Sequence, residues 1–286
     1  THSGGRPDLQ GLTGRVSTGP AGGIAPLDWR AVQPSADPRA MTIEELSFDL
    51  GVARTEADLA DVRKVRALAY GHHVPEMARV MRRPDPADRM PHTVVLIVRD
   101  RGDAAPIGTV RIATNRERPL LLEGSYSLPE SLRGRHLAEI TRLAVAPGAD
   151  DQLVKRALMK ACYLVCLSRQ VQKMVIGARS SALVRGYRHL GFECLTQSLG
   201  PVPLAYAGGL PHHVLALDVP SAERIWHSIS HPLHEWMMRT CHPNIDVSPA
   251  PGYERRGASR SPNTLGTLQS RRARSTASVE ASASIA

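Results

Sequence analysis

The stretch that decides the fold is Leu137-Ala-Glu-Ile-Thr-Arg-Leu-Ala-Val-Ala-Pro147, which is followed at once by a helical segment over residues 150–168. Its first ten residues are strand-like, and two opposite charges, Glu139 and Arg142, interrupt their apolar character. A charge inside an apolar strand is costly unless it is paired or takes part in chemistry. A strand that ends at the N-terminus of a helix can also bind a ligand that carries a phosphate or a thioester. We therefore expect a functional site where this strand ends.

Predicted strands and helices alternate on both sides of this stretch. Residues 93–98 and 173–178 are near-continuous apolar runs, which are typical of strands buried on both faces. Thr55, with Asp58 three residues later, is a good helix start that leads into a helical apolar stripe. Strands are predicted at 46–53, 93–98, 106–112, 137–146, 173–178, 191–195 and 212–218, and helices from residue 55 and at 75–81, 150–168, 180–190 and 221–240. This order predicts a mixed α/β domain.

Both ends of the chain are poor in the apolar residues that a core needs. Residues 1–40 are rich in Gly, Pro, Ser and Ala, and residues 247–286 are a Ser/Arg/Ala/Gly tract, so neither is expected to fold. We expect a disordered N-terminal tail at 1–40, one domain at 41–246 and a disordered, basic, Ser-rich tail at 247–286. Of the net charge of +9, residues 1–43 carry +1 and residues 247–286 carry +4, which leaves the domain mildly basic. The arginines of the second tail are either solvated or in contact with nucleic acid or anionic lipid.

The cysteines and the hydropathy pattern indicate the compartment. Cys162 and Cys166 lie four residues apart on the apolar side of a predicted helix, and Cys194 and Cys241 add no metal-ligand spacing. No apolar run reaches the roughly 18 residues of a membrane span, and no signal peptide opens the sequence. We therefore expect a cytoplasmic protein without a metal site.

Charged residues at five places carry a family resemblance that covers roughly residues 44–220. They are Arg66 and Tyr70 on the first predicted helix, Asp85 and Asp88 in Pro-Asp-Pro-Ala-Asp-Arg, Arg111 in Gly-Thr-Val-Arg-Ile, and Glu139 and Arg142 in Glu-Ile-Thr-Arg-Leu-Ala-Val. In order and spacing they resemble the GNAT-fold N-acyltransferases that use acyl-carrier-protein thioesters. This branch contains the FeeM-type N-acyl amino acid synthases and the related acyl-homoserine-lactone synthases.

The resemblance implies a fold, a reaction and a set of site residues. The fold would be GNAT-like, with a central mixed, mostly antiparallel sheet flanked by helices and an added C-terminal helix at 221–240. The enzyme would move a long acyl chain from the phosphopantetheine of an acyl carrier protein to the α-amine of an amino acid, without a permanently bound cofactor. Arg66, Tyr70, Asp85, Asp88 and Arg111 would line the acceptor side.

The resemblance also implies catalytic roles on the strand at 137–146. Glu139 would be the general base, and Arg142 or Arg111 would bind the carboxylate of the acceptor. An exposed main-chain amide between Leu143 and Val145 would stabilise the oxyanion, because the family's fourth and fifth strands splay apart there. The alternative for Glu139 is a structural carboxylate locked to Arg142 or Arg111.

Several positions depart from the family pattern. A tryptophan that the lactone synthases carry after the first helix is missing, and His72, His73 and Glu76 occupy that stretch. The loop Ala146-Pro-Gly-Ala-Asp-Asp-Gln152 is acidic where coenzyme A enzymes cradle a pyrophosphate, which favours a carrier protein as donor. Docking would involve basic residues near the thioester entrance, namely Arg133, Arg135, Lys155, Arg156 and Lys160. Nucleic acid is not an expected partner of the domain, whereas peripheral membrane contact could occur through a lipid product or the basic tail.

Geometry adds one further expectation, and other interpretations stay open. Residues three apart on an ideal strand face opposite sides, so Glu139 and Arg142 need a β-bulge at residues 140–142 to share a face.

The alternative functions are a lactone synthase, an acetyl-CoA-dependent N-acetyltransferase, and a non-catalytic binding module with a basic tail. His227, His231 and His234 share a helical face but favour a structural role over a metal site. Trp226, Trp236 and Met237 favour helix packing over an acyl pocket.

Overall fold

The computed structural model describes residues 41–73, 75–149 and 151–248. The tails predicted at 1–40 and, for all but its first two residues, at 247–286 lie outside the described residues, and so does Asp150, the predicted start of a helix.

Eleven strands and five α-helices make up the part of the chain that the structure describes. The strands are β1 Thr42–Ile43, β2 Phe48–Val52, β3 Thr93–Asp100, β4 Pro106–Thr114, β5 Leu137–Val145, β6 Lys173–Ala178, β7 Glu193–Cys194, β8 Val202–Leu204, β9 Leu210–Asp218, β10 Thr240–Cys241 and β11 Ile245–Asp246. The helices are α1 Glu56–His73, α2 Pro75–Met81, α3 Asp151–Ser168, α4 Ser181–His189 and α5 Ala222–Ser228, followed by a π-helix at Glu235–Arg239.

Nine of these strands form a mixed sheet in the order β11-β2-β3-β4-β5-β6-β9-β7, with β8 also paired to β9, and β1 and β10 form a separate parallel pair. The β5–β6 and β11–β2 pairs are parallel, and the remaining pairs of this sheet are antiparallel. The expected mixed, mostly antiparallel sheet flanked by helices is therefore confirmed.

Helices pack on both faces of the sheet. On one face, α3 buries its apolar side against alternate residues of β3, β4 and β5, such as Val110 and Ile140. Helix and sheet meet closely there, because a Cβ on Gly108 would lie 2.7 Å from the Val154 side chain. On the other face, Val62 of α1 packs on Val95 and Ile97 of β3. The charged residues singled out in the sequence belong to this second face.

The start of α1 forms as predicted. The Asp58 main-chain N–H donates to Thr55 Oγ1 at 3.0 Å, and the Thr55 N–H donates to Asp58 Oδ2 at 2.9 Å. This reciprocal pair satisfies two main-chain donors that a helix start would otherwise leave exposed.

The added C-terminal helix is shorter than the predicted span of 221–240. It ends at Ser228, and residues up to His234 form turns before the π-helix begins. Pro232 explains the interruption, because proline has no N–H to donate within a helix. Among the described residues, every helix is too short or too polar to span a lipid bilayer.

Candidate functional site

Six charged side chains meet on the face of the sheet that carries α1. They form the charge cluster, which consists of Arg66, Asp85, Asp88, Arg111, Glu139 and Arg142. The register explains part of it, because Arg111 pairs with Thr141 and Ala113 pairs with Glu139. Residues 111, 139 and 141 therefore point to one face. The cluster contains three arginines and three carboxylates, so its charges can balance.

Arg66 and Asp88 form a buried, bidentate ion pair in this cluster. Arg66 Nη1 donates to Asp88 Oδ2 at 2.7 Å and Nη2 donates to Oδ1 at 3.0 Å. Their side chains are 2% and 4% exposed. A bidentate pair of this kind has fixed geometry, and loss of one partner would leave a buried charge uncompensated.

Arg111 connects the acidic pair to the sheet. Its Nη1 donates to Asp85 Oδ2 at 2.7 Å and lies 3.4 Å from Asp88 Oδ1, while its Nε donates to Thr141 Oγ1 at 3.0 Å. Burial would raise the pKa of Asp85, but the charge and hydrogen bond of Arg111, the Ala87 amide and the Arg142 charge together lower it. Arg111 therefore joins the two aspartates to strand β5.

Arg142 is held more loosely than the other two arginines. Its Nε lies 3.6 Å from Asp85 Oδ2, which is too long for a hydrogen bond, and its Nη2 donates to the Tyr206 carbonyl at 3.4 Å. The Nε atom is buried without a hydrogen-bond partner among the described residues. A side chain with donor capacity to spare, 15% exposed, can accept an anionic ligand.

A β-bulge brings Arg142 to this face. Arg111 pairs with Thr141 and Thr109 with Ala144, so Arg142 and Leu143 together oppose a single residue of β4. Arg142 takes a φ of 57°, in the left-handed region. The bulge was predicted at residues 140–142, and the structure places it at residues 142–143.

Glu139 is fully buried in the cluster. The residue is 1% exposed, and Oε1 is buried without a hydrogen-bond partner among the described residues. Burial raises its pKa, and the Tyr206 hydroxyl, the Leu121 and Leu122 amides and the Arg111 charge only partly offset this effect. The pKa values of Asp85 and Glu139 are therefore shifted in opposite directions within one cluster, a pattern typical of sites that move protons.

Tyr206 is a site residue that the sequence did not reveal. Burial and the nearby Glu139 charge raise the pKa of its hydroxyl, and its main-chain carbonyl accepts from Arg142 Nη2 at 3.4 Å. It lies in Ala205-Tyr-Ala207, which follows β8, a strand that the sequence did not predict either. The stretch carries no charge pattern or spacing that would indicate a site.

The sheet opens beside the charge cluster. Parallel pairing of β5 and β6 runs from Leu137–Lys173 to Ile140–Ile176, although β5 continues to Val145 and β6 to Ala178. Leu143 and Val145, the residues with the predicted oxyanion amides, lie on the part of β5 that β6 does not cover, and both pack partly against the α3 core. Their catalytic role stays a prediction.

Other sequence predictions have different outcomes. Tyr70 is half-buried on α1, and its role on the acceptor side stays a prediction. Lys160, a predicted docking residue, is 5% exposed, and its Nζ donates to the main-chain oxygens of Trp236 at 2.8 Å and Thr240 at 2.6 Å. It therefore ties α3 to the C-terminal segment, and the prediction of a surface role for Lys160 was wrong.

The histidines of the C-terminal segment have structural contacts. Both ring nitrogens of His231 are occupied, Nε2 by the His189 carbonyl at 2.9 Å and Nδ1 by the Leu233 N–H at 3.1 Å. Within the described ranges, no group of three or more His, Cys, Asp or Glu side chains is placed to hold a metal ion.

Trp226 and Met237, two of the three residues considered for an acyl pocket, line an apolar cavity. The volume of this cavity is about 10 Å³, roughly the space of one water molecule. Trp236 instead contacts Lys160 and His242. The cavity is too small for an acyl chain, so helix packing is the better interpretation.

Comparison with known proteins identifies the family. Many solved structures are similar to the chain, and three of them are the following. The N-acyl amino acid synthase FeeM from uncultured soil microbes has 15% identity and a TM-score of 0.48, over 62% of this chain and 93% of that one. The CoA-dependent acyl-homoserine lactone synthase BjaI, solved with SAM and isopentyl-CoA, has 15% identity and a TM-score of 0.43, over 68% and 93%. A putative N-acetyltransferase from Lactobacillus plantarum has 14% identity and a TM-score of 0.43, over 61% and 99%.

A search of curated proteins found no match. The family model for the N-acyl amino acid synthase FeeM matches residues 62–207, which is slightly more than half of the chain. This range contains all six residues of the charge cluster and Tyr206. The protein therefore belongs to the FeeM family of N-acyl amino acid synthases, and it is an N-acyltransferase.

Proposed function

We propose that this enzyme transfers a long acyl chain from an acyl-carrier-protein thioester to the α-amine of an amino acid. One observation carries the proposal: Arg142, with unused donor capacity, lies in the same cluster as Glu139, a buried carboxylate with a raised pKa. An amino acid acceptor presents a carboxylate and an ammonium group on one carbon. Arg142 would bind the first and Glu139 would deprotonate the second.

The reaction needs alignment and proton transfer, because the thioester is already activated. Glu139 takes a proton from the acceptor's ammonium group, directly or through a water molecule. The free amine attacks the thioester carbonyl, and a main-chain amide near Leu143 or Val145 stabilises the oxyanion. The C–S bond then breaks, the attacking nitrogen gives its second proton to the leaving sulfur, and Glu139 returns the first proton to solvent. The products are an N-acyl amino acid and the free thiol of the carrier.

The positions of basic residues support one route for the donor. The opening between β5 and β6 lies at their carboxyl ends, where α3 and α4 begin. Lys155 and Arg156 lie in the first turns of α3, and the exposed Arg179 follows β6 directly. Arg133 and Arg135 precede β5, so the length of that strand, about 25 Å, separates them from this edge. An acidic carrier protein would dock at the α3 and α4 edge, away from Arg133 and Arg135.

Two further features belong to the proposal. The donor would be the acyl-phosphopantetheine arm of the carrier, with no permanently bound cofactor. All four cysteines lie in the described part of the chain and are free thiols, which is typical of a reducing cytoplasm.

A direct assay tests the proposed function. The purified full chain is incubated with a long-chain acyl group on carrier protein or on coenzyme A at matched concentrations, together with each standard amino acid. Mass spectrometry should detect an N-acyl amino acid, formed faster with the carrier thioester. Equal rates with the two donors would contradict the donor assignment. Product formed only with S-adenosylmethionine, or only with acetyl-CoA, would contradict the proposed reaction.

A further inference from the structure

The Lys160 ammonium group binds the C-terminal segment, residues 229–248, with all of its hydrogens. From α3 it donates to the main-chain oxygens of Trp236 at 2.8 Å and Thr240 at 2.6 Å, and to His242 Nδ1 at 2.9 Å. An ammonium group has three N–H donors and no acceptor, so these bonds use its full capacity. Lys160 Nζ and its three acceptors form the lysine clasp, which joins α3 to the C-terminal segment.

The clasp fixes the protonation state of His242. Because an ammonium group can only donate, Nδ1 has to accept with its lone pair, and the proton of the neutral ring lies on Nε2. Nε2 lies 3.5 Å from Glu44 Oε2 and has no hydrogen-bond partner within the described ranges. The His242 side chain is 0% exposed, so water cannot replace either neighbour. The clasp therefore requires a neutral, buried imidazole.

Charged groups reach the His242 ring from both sides. They are Lys160 and Arg156 of α3, whose charges also lie over the Trp236 ring, Glu44 after β1, and the adjacent Cys241, which acts on Lys160. Burial and the Lys160 charge lower the pKa of His242 from the ordinary value of 6.5, and the half-exposed Glu44 only partly offsets them. Burial also lowers the pKa of Lys160 to about 8, so this amine stays charged at neutral and acidic pH.

From this geometry we infer that the lysine clasp is a pH-sensitive device, which opens when His242 is protonated and loosens the C-terminal segment from α3 at mildly acidic pH. A proton on Nδ1 would occupy the position to which Lys160 donates, so the acceptor would be lost. Two positive charges would then face each other across 2.9 Å in a buried site, where water screens them poorly.

The direction of the pH effect follows from the neutral state of His242 in the fold. When the segment is released, the ring regains its ordinary pKa and binds a proton as the pH falls below 6.5. The released state therefore takes up more protons than the clasped state, and stability falls with decreasing pH in this range. The contribution of the clasp is complete above that value and is lost below it.

Amide hydrogen exchange of the full chain, followed by mass spectrometry, tests the inference. After correction for the intrinsic pH dependence of exchange, protection of residues 235–246 should fall about tenfold between pH 7 and pH 5.5. Protection of β3 in the same samples reports on global unfolding and should stay constant.

Two variants remove the titration and keep the acceptor. In His242→Asn the side-chain oxygen can take the place of Nδ1 and accept from Lys160, but it cannot be protonated. Protection of residues 235–246 should then differ by less than about twofold between the two pH values. His242→Gln offers a similar oxygen on a longer side chain and covers the case in which the first variant folds poorly. His227→Asn is the matched control, because His227 is exposed on α5, and it should keep the wild-type pH dependence.

The outcomes decide the inference without any assay of acyl transfer. Equal protection of the wild type at pH 7 and pH 5.5 would overturn it. A loss of protection that persists in both His242 variants would overturn it as well, because the effect would then come from another histidine of the segment, such as His231 or His234. A loss that disappears in His227→Asn would have the same meaning.

Discussion

Glu139 and Arg142 lie three residues apart on β5, and both side chains reach the charge cluster on the face that carries α1. Arg142 achieves this with a φ of 57° in the bulge. For a residue other than glycine, this conformation costs about 1–2 kcal/mol. The surrounding structure keeps the strained residue at the point where an acceptor carboxylate would bind.

Arg142→Gly should separate substrate binding from stability. Glycine adopts a positive φ without strain, so the bulge should persist and the melting temperature should be no lower than that of the wild type. Loss of the guanidinium should raise the KM for the amino acid about 10–100-fold, since a hydrogen bond to a charged group contributes about 1.5–3 kcal/mol. The kcat should change only a few-fold. An unchanged KM in steady-state assays would show that Arg142 does not bind the acceptor.

Asp88→Asn should destabilise the fold. It removes the carboxylate that Arg66 binds with both ends of its guanidinium, and it leaves a buried positive charge. The expected loss is about 3–5 kcal/mol in the free energy of unfolding, measured with urea. The control is Glu130→Gln, which breaks the exposed pair with Arg133 and should cost less than about 1 kcal/mol. Similar losses in the two variants would mean that the Arg66–Asp88 pair contributes little.

Charge reversal at Arg179 should weaken use of the carrier protein. Arg179 is exposed at the end of β6, beside the opening where the thioester would enter. Arg179→Glu should raise the KM for the acyl-carrier protein several-fold, with a larger effect at low salt. Arg133→Glu makes the same change before the opposite end of β5 and should have little effect. If Arg133→Glu were the more damaging of the two, the carrier would dock at the other edge.

A chain of residues 41–248 should fold and remain active. Its C-terminal limit is two residues beyond the boundary expected from the sequence, because Val247 packs against the core and the Ser248 carbonyl accepts from Arg54. The melting temperature should stay within a few degrees of the full chain, and acyl transfer should be retained. Insolubility or loss of activity would show that residues 1–40 or 249–286 contribute to the domain.

Much of the architecture could be predicted because long apolar runs determine it. The runs at 93–98 and 173–178 became β3 and β6, and the stripe after Thr55 became α1. The family resemblance placed charges on the right elements, and burial then forced Arg66, Asp88, Arg111 and their partners to pair.

The rest depends on contacts that no local pattern encodes. Tyr206 lies near Glu139 because β9 pairs with β6 and the connection from β8 to β9 carries the tyrosine. Lys160 carries a charge, yet it is buried, because its ammonium group donates to the main-chain carbonyls of Trp236 and Thr240. The bulge lies at residues 142–143, at the end of the predicted range 140–142, because β4–β5 pairing stays regular through Arg111 and Thr141.

The raised pKa of Glu139 has a consequence for stability as well as for rate. Its pKa is raised in the folded state above the ordinary value of 4.5. As the pH rises above that value, the unfolded chain loses the proton first, so the wild type loses stability until the folded pKa is passed. Glu139→Gln lacks this term, so its stability relative to the wild type should increase as the pH rises through this range. A melting curve of both proteins at the assay pH shows whether a loss of activity reflects unfolding.

The most direct measurement is the pH dependence of kcat/KM for acyl transfer by the wild type and by Glu139→Gln. The wild type should show an acid limb above pH 4.5, because the raised pKa belongs to the base. Glu139→Gln should be about 10²–10⁴-fold slower on the plateau and should lack that limb. A variant with wild-type turnover and the same acid limb would contradict the assignment, and Glu139 would then be a structural carboxylate.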